Sequence, residues 1–350
     1  MRAALDDFGG LLRWDTLQDW VERADLPGRG PVCSVRQLTG GSQNNVFWCE
    51  RDGGAFVLRR PPTHPRPNSD ETMRREARVL GALAGSPVPH PQLHALCTDL
   101  DVLGVCFFAM AAVDGFGALD GLPGRYARDP AWRRAMAFDL VDAAAALGAV
   151  DVDAVGLADF GKPEQWIERQ VARWAGQLEG YAAFDGYDPG GLPGVGAVGA
   201  WLERRRPREH RIGLIHGDLQ WANVLFSHDA PRVAAIIDWE LSTLGDPLLD
   251  LAWILAAWPG PDDPPGRTGS VAWVGLPTRA ELVARYGERS GRDVGDVDWF
   301  LVLACYKLAI ILEGSHARAG AGRAPREVGD ALHGHAVWLL ELAHQVMARG

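Results

Sequence analysis

Residues 212–253, IGLIHGDLQWANVLFSHDAPRVAAIIDWELSTLGDPLLDLAW, constrain this 350-residue chain more than any other stretch. Ile212 to Ile215 is a short apolar run that suits a buried strand. The polar segment His216 to Asn223 follows, and Val224, Leu225 and Phe226 return the chain to strand character. Asp, Pro and Ser within Ser227–Pro231 favour a reversal. Val233 to Ile237 is a second apolar, β-branched run, and it ends on Asp238. A hairpin over these segments carries Asp238 back toward the loop of Asp218 and Asn223. The pattern therefore predicts two carboxylates and an amide oxygen around one small volume.

Such a set suits phosphoryl transfer from a nucleotide. The chemistry needs one carboxylate to orient and deprotonate the attacking hydroxyl, and oxygen ligands for Mg²⁺, which masks phosphate charge. Asp218 takes the first role here, with Asn223 and Asp238 as metal ligands. The spacing His-x-Asp-x-x-x-x-Asn, followed by a strand ending in Asp, matches the protein-kinase catalytic loop and metal-binding Asp. Gly217 stands where protein kinases usually have Arg, and Asp238-Trp239-Glu240 replaces their Asp-Phe-Gly. In both respects the chain resembles the aminoglycoside phosphotransferase and choline kinase-like family. The run Asp-Trp-Glu-Leu-Ser-x-x-Gly-Asp-Pro is most similar to small-molecule kinases related to acyl-CoA dehydrogenase-linked kinase domains. A lone His-Gly-Asp is commonly just a loop; the agreement of spacing, strands and second Asp sets this one apart. His216 reads as a structural residue holding the loop by hydrogen bonds. The resemblance implies that Asp250 braces that loop.

Length and composition bound the rest. A chain of 350 residues exceeds the usual single-core size, so two lobes are expected. The formal net charge of −10 argues against wholesale nucleic-acid binding. Five cysteines, odd in number and without a Cys-x-x-Cys pair, suggest neither a disulfide framework nor a cysteine zinc site. Buried reduced thiols in a cytoplasmic protein are the expectation. The start Met1-Arg-Ala-Ala-Leu-Asp-Asp lacks the apolar core of a signal peptide, and no apolar run reaches membrane-spanning length. Leu301–Leu312, the longest approach to one, is interrupted by Lys307. No membrane partner is expected, and oligomeric state stays open.

Along the first lobe, Trp14, Leu17, Trp20 and Val21 fall at helical spacing, and Val32–Leu38, Val46–Cys49 and Ala55–Arg60 read as three strands. A helix from Ser69 or Asp70, as cap, to about Ala84 follows. Two further strands, Gln92–Cys97 and Val105–Met110, complete the lobe. With its Gly-rich first turn (Gly40-Gly41-Ser42-Gln43-Asn44), this sheet resembles the nucleotide-covering sheet of a kinase small lobe. That resemblance assigns Gly41, Ser42 and Asn44 to the phosphates, where glycine lets backbone amides approach. Val57 and Arg59 share a strand face; Val57 is assigned to adenine and Arg59 to phosphate, with Glu76 as the ion-pair partner of Arg59. Kinases usually place Lys at that strand position, and the dehydrogenase-linked group resembles this chain in its Leu-Arg-Arg. Met110 and Ala112 belong to the hinge whose backbone meets the base.

Beyond the hinge, Ala131–Ala149 is an Ala-rich helix in which Gly148 stands where similar proteins often carry His, a change read as a packing matter. Trp166–Leu178 is amphipathic, with Arg169 and Arg173 on one face of an expected salt-bridged surface. Gly180–Gly196 is Gly-rich, Pro259–Gly269 is a loop, and Arg279–Gly291, Val297–Ala317 and Val328–Ala348 are helical.

The expected protein is thus α+β and bilobal, of protein-kinase-like fold, with a small antiparallel-sheet N-lobe over residues 1–112. A larger, mostly helical C-lobe, residues 113–350, holds the catalytic loop, metal site and acceptor pocket. The resemblance implies transfer of the γ-phosphate of ATP, with Mg²⁺, to a hydroxyl of a small molecule. A hydroxy-acid or its CoA thioester is the expected acceptor, an aminoglycoside antibiotic the alternative, and a nucleotide-binding regulator without turnover the reading of another class. A basic acceptor pocket favours the acid, and an acidic one the polycationic drug.

Overall fold

The structure is a computed structural model and describes residues 5–38, 44–259 and 274–349. In chain order it begins with α1 (Trp14–Arg23), β1 (Arg29–Leu38), β2 (Asn45–Asp52), β3 (Gly54–Arg60), α2 (Ser69–Ala82), β4 (Leu93–Cys97), α3 (Leu100–Leu103) and β5 (Phe107–Ala111). There follow β6 (Phe116–Gly117), α4 (Gly124–Arg128), α5 (Pro130–Gly148), α6 (Arg169–Gly180), α7 (Val195–Arg204), β7 (Gly213–Ile215), β8 (Val224–Phe226), β9 (Val233–Ile236) and β10 (Thr243–Gly245). Four helices close the chain: α8 (Leu248–Ala256), α9 (Arg279–Ser290), α10 (Val297–Gly320) and α11 (Arg326–Met347). They group into two compact units. The first comprises Met1–Phe116, Val155–Leu157 and Val224–Ser242; the second comprises Gly117–Ala154, Ala158–Asn223 and Thr243–Gly350.

In the first unit an antiparallel sheet runs in the order β1-β2-β3-β5-β4. Alternation along β3 decides its two faces. Phe56 and Leu58 join Leu17, Trp20 and Val21 of α1 in an apolar core with Phe47 and Phe107. Val57 and Arg59 point to the opposite face, where Glu76 and Leu80 of α2 lie. Both faces being covered, β3 is buried from Phe56 to Arg60. The cap of α2 differs from the expected one. Asn68 precedes the helix without a side-chain cap, because the Ser69 hydroxyl accepts from the Arg66 amide and Asp70 accepts from Cys106 N–H at 2.8 Å. The unit also contains the hairpin of β8 and β9, with Val224 opposite Ile236 and Leu225 opposite Ala235.

The second unit is mostly helical around a two-stranded antiparallel pair, β7 with β10. All nine residues of α8 are buried, and α10 is buried along most of its length, as helices apolar on every side must be. A Cβ at Gly148 would meet Pro247 Cβ at 2.7 Å and the Tyr286 hydroxyl at 3.0 Å, so packing there excludes a histidine. Helix α7 has no counterpart among the elements expected from sequence. The expected ion pairs of α6 are absent among the described residues: Arg169 donates to the Lys162 carbonyl, and Arg173 lies over the Trp174 ring at 5.3 Å. All five cysteines are free thiols. Among the described residues no helix is long and apolar enough to cross a membrane.

Candidate active site

In the second unit, β7 ends at Ile215 and delivers the chain into a loop held from below. Asp250, in the first turn of α8, accepts the amide of His216 at 2.7 Å and that of Gly217 at 2.9 Å. Gly217 has φ of 83°, a conformation that glycine adopts without strain. His216 is fully buried, and its Nδ1 accepts the Asp218 amide at 3.3 Å. Histidine and aspartate therefore perform the structural roles expected of them. Asp246 braces the same helix start, accepting from Leu248 and Arg211 amides and pairing with Arg292 at 2.6 Å.

The Asp218 carboxylate at the loop's tip is fixed by three side-chain donors. Its Oδ1 accepts from Trp253 Nε1 at 2.7 Å and from Gln220 Nε2 at 2.9 Å. Its Oδ2 accepts from Asn223 Nδ2 at 2.8 Å, and the same nitrogen reaches the Asp218 carbonyl. Both bonds use the amide nitrogen, so Oδ1 is the Asn223 atom that could ligate a cation. Lys307 of α10 donates to the Gly217 carbonyl at 3.3 Å and sits over the rings of Trp253, at 4.6 Å, and Trp174, at 5.3 Å. Burial pushes this ammonium down to about 8, although the carboxylates of Asp218 and Asp250 pull it upward.

In the first unit, Arg59 of β3 is buried among carboxylates. It pairs with Glu76 at 2.9 Å, with Asp238 at 2.5 Å, and with Glu240 at 3.6 Å. Burial works against the charged guanidinium, but the three carboxylates outweigh it and hold Arg59 above its ordinary value. Glu76 is pushed up to about 7, first by burial and then by Asp238 and Glu240, with Arg59 opposing. Burial and Asp238 likewise raise Glu240. One guanidinium thus faces three carboxylates, a group with surplus negative charge. Asp238 has φ of 67° and a side chain 32% exposed. This left-handed conformation is uncommon for a non-glycine residue and is the kind of strain that collects at functional sites.

Beside this cluster lies a mostly apolar cavity of about 110 Å³, lined by Val46, Val57, Met110, Val113, Leu225 and Ile237 among others, with Arg59, Glu76 and Asp238 at its polar end. Five expected residues, Val57, Arg59, Glu76, Met110 and Asp238, therefore share one cavity. Ala112 is half-buried and does not line it. Asn44 donates to Glu240 at 2.7 Å and borders a neighbouring polar cavity of about 370 Å³ with His64, Arg66 and Thr72. Gly41 and Ser42 lie outside the described residues. Asp218 and Asn223 are brought together in the second unit. Sequence reasoning missed Gln220, Trp253, Lys307 and Glu240. Lys307 left a signal, as the one charge breaking an apolar helical run; Trp253 left none, for its neighbours in α8 are equally apolar.

Comparison with known proteins places this geometry. Residues 34–291 match the profile of the phosphotransferase enzyme family. The chain is 32% identical over 311 residues to acyl-CoA dehydrogenase family member 11 of Gallus gallus, covering 84% of this chain and 38% of that protein. It therefore spans well under half of the curated relative's length. Among solved structures it is similar to a Ralstonia eutropha protein provisionally named an aminoglycoside phosphotransferase, with a TM-score of 0.81, 30% identity, and coverage of 96% of this chain and 98% of that one. A kanamycin and GDP complex of an aminoglycoside phosphotransferase shares the fold at a TM-score of 0.64 and 17% identity, over 95% and 98% of the two chains. The fold is α+β and kinase-like, with a small antiparallel-sheet part and a larger helical part. A braced Asp218 loop, a buried Arg–Glu pair and this agreement over most of the sequence lead to one conclusion: the chain belongs to the phosphotransferase enzyme family, the group that includes the aminoglycoside phosphotransferases.

Proposed function

We propose that this chain is a small-molecule kinase that moves the γ-phosphate of ATP to a hydroxyl of an anionic metabolite, a hydroxy-acid or its acyl-CoA form. The observation that carries the reading is the Asp218 carboxylate, held by Trp253, Gln220 and Asn223 on a loop braced by Asp250. A carboxylate so fixed orients the acceptor hydroxyl and takes its proton as the oxygen attacks the γ-phosphorus, so that catalysis is mainly positioning. Val57 and Met110 suit contact with the base, and the hinge backbone through Ala112 its hydrogen bonding. Gly41, Ser42 and Asn44 remain assigned to the phosphates by the family resemblance. Arg59, oriented by Glu76, is the cation on the phosphate side. Asn223 and Asp238 are the residues that would hold Mg²⁺, which when bound neutralises phosphate charge.

The surroundings of Asp218 favour an acidic acceptor over a polycationic one. Lys307 sits on the Asp218 loop, and Arg173 lies near enough to act on its charge. Lys307 is a cation that can meet an acceptor's carboxylate or phosphate, a contact that an aminoglycoside's ammonium groups cannot make. Free thiols fit a reducing compartment such as the cytoplasm. The test is ADP release and phosphate transfer measured with ATP, Mg²⁺ and a panel of hydroxy-acids, hydroxyacyl-CoA thioesters and aminoglycosides. Transfer to the acids, abolished in Asp218→Ala with ATP affinity kept, is expected. Tight ATP binding with no transfer to any acceptor would refute the enzyme and favour a regulator; transfer to aminoglycosides alone would refute the acceptor class.

A further inference from the structure

The hairpin of α10 and α11 carries a cluster that phosphotransfer does not use. Glu313 and His316 lie three residues apart on α10, and Asp330 and His333 lie three apart on α11, so each pair occupies one face of its helix. Packing sets the pairs crosswise. His333 Nδ1 is 2.7 Å from Glu313 Oε2, and His316 Nδ1 is 3.4 Å from Asp330 Oδ1. The two imidazole centroids are 4.6 Å apart. Gly329 makes room for this approach, since a Cβ there would sit 2.4 Å from that of Ala319. One ligand atom each from Glu313, His316 and His333 falls within 4.8 Å of the others.

Two further observations point to a ligand. Glu313 is fully buried, yet its partners among the described residues are the His333 ring and the Tyr187 hydroxyl at 3.1 Å, with no lysine or arginine opposite. His316 Nδ1 is itself buried and makes no hydrogen bond among the described residues, the Asp330 contact lacking the alignment of one.

We propose that Glu313, His316 and His333 form a binding site for a divalent cation of the zinc class that ties α10 to α11. Two imidazoles and one carboxylate suit Zn²⁺ or Co²⁺, whereas Mg²⁺ and Ca²⁺ call for oxygen donors. Tetrahedral donors about 2 Å from zinc stand about 3.3 Å apart, so modest side-chain rotations close the present spacing. The cation takes the place of the His333–Glu313 hydrogen bond, with the imidazole binding through Nδ1 as its neutral Nε2–H tautomer. Asp330 is the donor placed to complete the set. None of these residues belongs to the proposed phosphotransfer machinery, so failure of one reading leaves the other standing.

The test uses the full chain without an affinity tag, stripped by a chelator, then titrated with Zn²⁺ by calorimetry and with Co²⁺ by visible absorption. One equivalent of zinc, tetrahedral Co²⁺ bands and a Tm rise of about 5 °C at a hundredfold excess over Kd are expected. His316→Ala removes a donor without removing a described hydrogen bond, and should weaken binding at least tenfold while keeping the metal-free Tm. Asp238→Ala should retain the Co²⁺ bands. Absence of stoichiometric binding, or wild-type affinity in His316→Ala or in a His316→Ala/His333→Ala double variant, overturns the site.

Discussion

Replacing Asp250 by Asn exchanges one buried oxygen for an NH₂ group and tests whether α8 holds the Asp218 loop. Asp250 is 2% exposed and accepts two neighbouring backbone amides, at 2.7 and 2.9 Å. An asparagine offers one acceptor, so one N–H faces another donor. A hydrogen bond to a charged group is worth about 1.5–3 kcal/mol, and an orphaned buried N–H costs about 1–3 kcal/mol. Part of this is offset, because burial raises the Asp250 pKa and an uncharged side chain escapes that desolvation. A net loss of about 2 kcal/mol corresponds to about a 30-fold increase in local opening. Hydrogen exchange of a peptide spanning residues 213–219, read by mass spectrometry, should accelerate by that factor. Phosphotransfer kcat should fall about 100-fold, since a loop displaced by about 1 Å misplaces Asp218. Exchange and kcat both within threefold of wild type would refute the bracing argument.

Three other perturbations follow from the same geometry. Lys307→Met should raise KM for an anionic acceptor about tenfold and leave that for ATP unchanged, the loss being one partly buried charge contact; an equal change in both refutes its placement at the acceptor. Because Lys307 is pushed down to about 8, the folded chain binds fewer protons than the unfolded one above that pH. Its contribution to stability therefore rises from pH 8 toward 10.5, and Lys307→Met should lose that rise in thermal melts. Glu76 is shifted the other way, from 4.5 up to about 7, so the fold holds an extra proton between those values and this group's contribution falls as pH rises through them. Glu76→Gln should narrow the Tm difference between pH 5 and pH 8, and an unchanged difference would contradict the burial argument. Asp238→Ala should weaken Mg²⁺-dependent ATP binding about tenfold or more in calorimetry, with equal affinity in the two proteins speaking against the metal assignment.

Local patterns are legible along the chain because each is encoded within a few residues. Alternation along β3 predicts that Val57 and Arg59 share a face, and both line the cavity. The apolar runs around Ser227–Pro231 predict the β8–β9 hairpin. Spacing sets Asn223 on the Asp218 loop, and the two side chains meet. The expected Arg59–Glu76 pair is present. The cap of α2 is not legible in this way, because Asp70 is drawn to the Cys106 amide, a partner 36 residues away. Helix α7 is obscured because glycines at 194, 196 and 199 hide its helical periodicity.

By itself the sequence determined the strands other than the short β6 and β10, the long helices, the Asp218–Asn223 loop and the family to which the chain belongs. Tertiary structure alone decided that Arg59 also meets Asp238 and Glu240, and that Trp253 and Lys307 reach the loop from α8 and α10. It likewise decided that two His–carboxylate pairs cross between α10 and α11. The reason is physical: periodicity states which face of an element is buried, whereas the partner that covers that face comes from distant chain and is selected by packing the whole core at once.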